Sequence, residues 1–140
     1  MTRTILTRRV LLSSILVAVS SFMIAIGYAI AVYKIRNTPD FILVGLVSAF
    51  VGLILGGVFS NTLGHKNLIG WIHSLIGALL ITFIGGAVIG GILLPGVGIL
   101  AGLISALGIF LHLETFIIWM VLYLSVHLIL LQWEAANKDI

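Results

Sequence analysis

The stretch "GWIHSLIGALLITFIGGAVIGG", residues 70–91, decides how the rest of the chain is read. It is apolar enough to cross a bilayer, and Gly70, Ser74, Ala78, Thr82, Gly86 and Gly90 put a small residue at every fourth position. Residues four apart share one face of an α-helix, so this series makes a shallow groove along one side. Lipid tails are as apolar as leucine, and helices in a membrane gain little by hiding leucines from them. They associate through close backbone approach, dispersion and occasional polar contacts, which small residues permit.

The same beat recurs on either side. Ser48, Gly52, Gly56 and Ser60 repeat it upstream, and Gly98, Gly102 and Ala106 downstream. A looser version, Ser21, Ala25 and Ala29, lies nearer the N-terminus. Glycine costs about 1 kcal/mol in a water-exposed helix, so sixteen glycines in one chain should serve a need. Three grooved helices in succession predict a tightly packed bundle or a closely contacting oligomer.

Composition agrees. Of 140 residues, 61% are hydrophobic and 8% charged, against roughly a quarter charged in ordinary soluble domains. A water-soluble fold would have nothing with which to cover its surface, so the chain reads as an all-α integral membrane protein. Its partner is then the lipid bilayer. The net charge of +3 reads as a topology signal at the membrane surface, and no basic run interleaved with aromatics supports nucleic-acid binding. The absence of cysteine excludes disulfides, thiolate metal sites and cysteine nucleophiles.

Charged and polar breaks divide the chain into one transmembrane domain of four to five spans: 10–33, 41–63, 68–94, 97–111 and 115–133. The first follows a basic start but has 24 residues, too many for a signal peptide's apolar core, and is read as a retained helix. Pro95-Gly96 closes the third. The fourth reaches only about 22–25 Å at the helical rise, so it is either a short span or a re-entrant segment. Five spans put the termini on opposite sides; a re-entrant fourth stretch puts them on the same side. With five spans, Arg3, Arg8, Arg9 and Lys66 face Lys34, Arg36 and Lys138 across the membrane. The Arg8-Arg9 pair before the first span points to a cytoplasmic N-terminus in a bacterial inner membrane. The last span, "TFIIWMVLYLSVHLILLQW", has no glycine or alanine and is expected at the periphery, with Trp133 as an interfacial anchor.

The segments "FILVGLVSAFVGLILGG", "NLIGWIHSLIGALLITFIGGAVIGG" and "GVGILAGLISALGIFL" resemble the small bacterial stress-response, transglycosylase-associated membrane proteins. The resemblance covers residues 41–111 and leaves the first and last spans outside it. It implies a small, non-enzymatic envelope protein and carries over no catalytic residues.

The chain's four histidines are the candidates for chemistry. In the five-span arrangement His65, His112 and Glu114 share one side, with His73 about one turn inside that leaflet; none has a tight metal-ligand spacing. His127 lies within a span, where an ionisable residue is a functional candidate by default. A neutral imidazole can bind haem iron or chlorophyll magnesium, and "VLYLSVHLILLQW" resembles the pigment-binding helix of bacterial light-harvesting polypeptides. The small residue expected before the histidine is replaced by Tyr123 and Val126, which crowd the ring. A haem paired between His127 and His73 would need to bridge depths differing by about 10 Å on the helical rise. No GxSxG or convergent nucleophile–base set occurs. Only four acids exist, all at membrane edges, which disfavours ion translocation.

The reading that results is a non-enzymatic structural or accessory subunit. It packs by glycine-rich faces with itself or with other transmembrane subunits, as in respiratory or photosynthetic complexes. A tetrapyrrole-binding subunit using His127 is the alternative, and a pore or ion pathway the third.

Overall fold

The computed structural model describes residues 3–33 and 39–137, with side chains placed for 7–32 and 42–137. These residues form five α-helices: α1 (Arg3–Tyr33), α2 (Pro39–Val58), α3 (Asn67–Leu93), α4 (Gly98–Leu111) and α5 (Leu113–Ala136). Lys34, Arg36 and Lys138, used above for orientation, lie outside the described residues. Three helices, α1, α3 and α5, are long and apolar enough to cross a membrane; α2 and α4 contribute shorter apolar helices. Large apolar side chains are exposed on all five, from Leu11 and Phe50 to Leu68, Ile104 and Val121. A helix set that is apolar all round is what a bilayer, rather than water, solvates.

The helix limits follow local chemistry. Pro39 opens α2, where its missing N–H costs nothing. The chain leaves α2 at Val58, five residues before the expected end, and runs through turns closed by Thr62 N–H to Phe59 O at 2.9 Å. Ser60 therefore falls in a turn and does not extend the α2 stripe as a helical position. Gly64 there has φ +73°, and a Cβ on it would come within 2.5 Å of Leu130 Cβ, so both backbone conformation and close approach demand glycine. After α3, Leu94 leaves the helical conformation ahead of Pro95, with φ −134° and ψ 77°, and Gly96 takes φ +100°. Between α4 and α5 only His112 departs from helix. Thr115 bridges that corner, its hydroxyl within 2.9 Å of both Ile109 O and His112 O.

The topology turns on α4. Its first residue, Gly98, lies against Gly90 near the end of α3, and Gly108 near its own end lies against Tyr28 near the end of α1. Both ends of α4 therefore sit at the end of the bundle away from Arg9. The chain then reverses, and α5 runs back along α3: Trp119 meets Thr82, and His127 meets Trp71. By its last turns α5 has reached α1's N-terminal part, where Arg9 approaches Glu134. His112 packs on Tyr28, whereas His65 follows the Arg9-bound Leu63, so the two lie at opposite ends. His65 and His112, expected to share a side in the five-span arrangement, are thus separated along the bundle.

Candidate functional site: an apolar chamber and a buried polar face

Several of the small residues expected to pack helices lie close to other segments of this chain. On α2, Ser48 is buried and donates to Val44 O at 2.7 Å. A Cβ at Gly52 would meet Ser21 Oγ at 2.5 Å, and one at Gly56 would meet Ser13 O at 2.8 Å. Ser13 Oγ itself donates to Gly56 O at 2.8 Å, tying α1 to α2 through the same notch. The long α3 stripe changes partner along its length. Gly70 backs onto the His65 backbone, and Ser74, fully buried, donates to Thr62 O at 3.0 Å. Ala78 and Thr82 face a chamber. Gly86 and Gly90 meet Gly102, Ala106 and Gly98 of α4 so closely that Gly86 O and Gly90 O occupy the space a Cβ on Gly102 or Gly98 would need.

Beyond the stripes, α5 supplies a face that sequence reasoning placed at the periphery. Thr115, Trp119, Tyr123 and His127 recur every fourth residue and are all buried, together with Val126 and Leu130. Trp119 Nε1 donates to Thr82 Oγ1 at 2.9 Å. The Tyr123 hydroxyl reaches Trp71 O at 3.4 Å, a long contact. The Trp119 and Tyr123 rings stack with centroids 5.6 Å apart. The lack of glycine and alanine over residues 115–133 is matched by glycines on neighbouring segments: Leu130 fits over Gly64 and Ile118 over Gly27. A knob needs a hole, and the hole is in another segment. The four-residue recurrence of hydrogen-bonding side chains was the available signal.

Arg9 is the second residue whose role the sequence hid. It is 6% exposed; its Nη2 donates to Leu63 O at 2.8 Å, and its Nη1 lies 3.9 Å from Glu134 Oε2. One guanidinium thus links the start of α1, the α2–α3 turn and the end of α5. Arg9, Ser13, Val17 and Ser21 continue upstream the four-residue beat of Ser21, Ala25 and Ala29, which makes Arg9 part of a packed face as well as a topology charge.

The histidines do not assemble. His127 is fully buried, its ring centroid 3.9 Å from that of Trp71, and neither ring nitrogen has a hydrogen-bond partner. It lies level with the start of α3, not about 10 Å from His73 in depth, because α5 arrives from the far end. His73 is exposed; two residues beyond Trp71 it points roughly 200° around the helix. The two histidines do not face one another, and His127 packs on Trp71 and is not part of the chamber wall. Among the described residues no three of His, Cys, Asp and Glu come together.

The chamber lies between the helices and has a volume of about 550 Å³, inside the range of small-molecule sites. Ile24 and Ala25 of α1, Ile81 and Gly85 of α3, Ala101 of α4 and Leu122 of α5 represent its predominantly apolar wall. Trp119 and Tyr123 line it from the buried face of α5.

No family model matches the chain, and neither a curated protein nor a solved structure does.

Proposed function

We propose that this protein is a non-enzymatic, multi-pass membrane subunit with four spans, α1, α2, α3 and α5, and α4 re-entrant. Both termini face the cytoplasm in this reading. The small-residue stripes close the bundle on itself, and the apolar outer surface meets lipid and the transmembrane helices of a larger assembly. The resemblance over residues 41–111 carries an envelope role of the same kind.

One observation supports this reading above the others. Four polar side chains within the bundle tie its segments together: Ser13 to α2, Ser74 to the α2–α3 turn, Trp119 to Thr82, and Arg9 to Leu63. Groups held this way stabilise a scaffold; an interhelical hydrogen bond in a membrane contributes on average about 0.6 kcal/mol. Orientation follows from charge. Among the described residues Arg3, Arg8, Arg9 and Lys66 all belong to the end of the bundle that holds Arg9, which the positive-inside rule assigns to the cytoplasm.

Extraction in a mild detergent followed by native mass spectrometry tests the subunit role. The expected result is a species heavier than the 15.0 kDa chain that contains other transmembrane polypeptides. A homogeneous monomer from native membranes, at every detergent concentration tried, would refute it.

A further inference from the structure

The chamber is long. Its wall runs along α1 from Val17 to Ala29 and along α3 from Ala78 to Leu93, about 18–23 Å at the helical rise. It is predominantly apolar along that length, which an extended hydrocarbon chain matches.

We propose that this chamber is a binding site for one acyl chain of a membrane lipid. Two physical arguments carry the assignment beyond shape. An unfilled void forfeits dispersion contacts along its whole lining, and protein interiors are otherwise packed to crystal-like density. The bilayer supplies hydrocarbon chains in large excess beside it. Water is the poorer occupant, because each buried water needs two to four polar partners. Three of the wall's seven hydroxyls donate within the protein, Ser48 to Val44 O, Thr82 to Ala78 O and Tyr123 towards Trp71 O, and most of the wall is hydrocarbon.

Trp119 provides the readout, since it lines the chamber and is 3% exposed. Replacing the other two tryptophans, Trp71→Phe and Trp133→Phe, makes it the sole emitter. Titration of the delipidated protein in detergent with bromine-labelled stearic acid should then quench Trp119 saturably, at one chain per protein. Filling the slot from two walls with Ala25→Leu and Ala78→Leu should weaken that binding by more than about tenfold. Non-saturating quenching, or equal quenching in a filled variant that remains helical and monodisperse, overturns the proposal. A second measurement needs no variant: solvent extraction of the protein purified from native membranes, with the recovered molecules weighed. Recovery of one acyl lipid per chain supports the assignment; a ring-bearing isoprenoid such as a prenyl quinone in its place, or no lipid, overturns it.

Discussion

Trp119 and Thr82 meet across α5 and α3 in a 2.9 Å hydrogen bond, and the Thr82 hydroxyl in turn donates a hydrogen bond to Ala78 O at 2.8 Å. The indole is thereby held at the chamber wall while its ring stacks on Tyr123. The pair joins the helix richest in bulky residues to the helix with the longest run of small ones. Trp119→Phe and Thr82→Val should each lower stability, and a double-mutant cycle should return a coupling of about 0.6 kcal/mol, and no more than about 1.7. Unfolding in mixed micelles measures it. A coupling of zero would mean the bond does not form.

Glycines of one helix should respond unequally. At Gly90 an added Cβ would run into Gly98 O and the Gly102 backbone, whereas at Gly85 the nearest atom is Leu55 Cδ1 at 3.5 Å. Gly90→Ala should therefore force α3 and α4 apart and cost about 1–3 kcal/mol, the usual range for overpacking. Gly85→Ala should be neutral or stabilising, since alanine is the better helix former. Thermal unfolding of the two variants side by side decides the matter; equal effects would sink the packing scheme.

Removing the Arg9 side chain should cost more than removing its anionic neighbour's charge. Arg9→Ala loses a charged hydrogen bond to Leu63 O at 2.8 Å, a loss of about 1.5–3 kcal/mol. Glu134→Gln should cost less, because its contact with Arg9 is 3.9 Å long and its side chain is 23% exposed. Arg8 is exposed, and Arg8→Ala serves as the control with little change. Denaturation curves that rank Glu134→Gln above Arg9→Ala would contradict this order.

His127 separates packing from chemistry. Its ring is sealed against Trp71 with neither nitrogen partnered. His127→Phe should hold stability within about 1.5 kcal/mol, as near-volume-conserving core swaps do. His127→Ala should lose about 2–5 kcal/mol by leaving a cavity. If Phe is as damaging as Ala, the imidazole nitrogens serve a purpose that the packing does not explain.

The placement of α4 is testable by labelling. The chain has no cysteine, so single cysteines can be introduced one at a time. Lys66→Cys and Ala135→Cys, both exposed, should react with an impermeant maleimide from the same face of the membrane, and His112→Cys from the opposite one. Lys66 and His112 reacting from one face would restore five spans.

By itself the sequence determined that this chain is helical and where each helix starts and stops, within a few residues apart from α1's earlier start and α2's earlier end. Helix formation answers to local rules: apolar runs, Pro39, the Leu94-Pro95-Gly96 break, and small residues at a constant interval. It also carried the expectation of close backbone approach as the means of packing. Tertiary structure alone decided which groove meets which helix, that α4 stays at one end, that α5 is buried rather than peripheral, and that a chamber opens beside Trp119. The reason lies in the solvent. In water, apolarity separates inside from outside, so burial can be read from a sequence. In lipid, Leu11 facing the bilayer and Leu130 packed on Gly64 are chemically the same residue, and only the notch opposite distinguishes them.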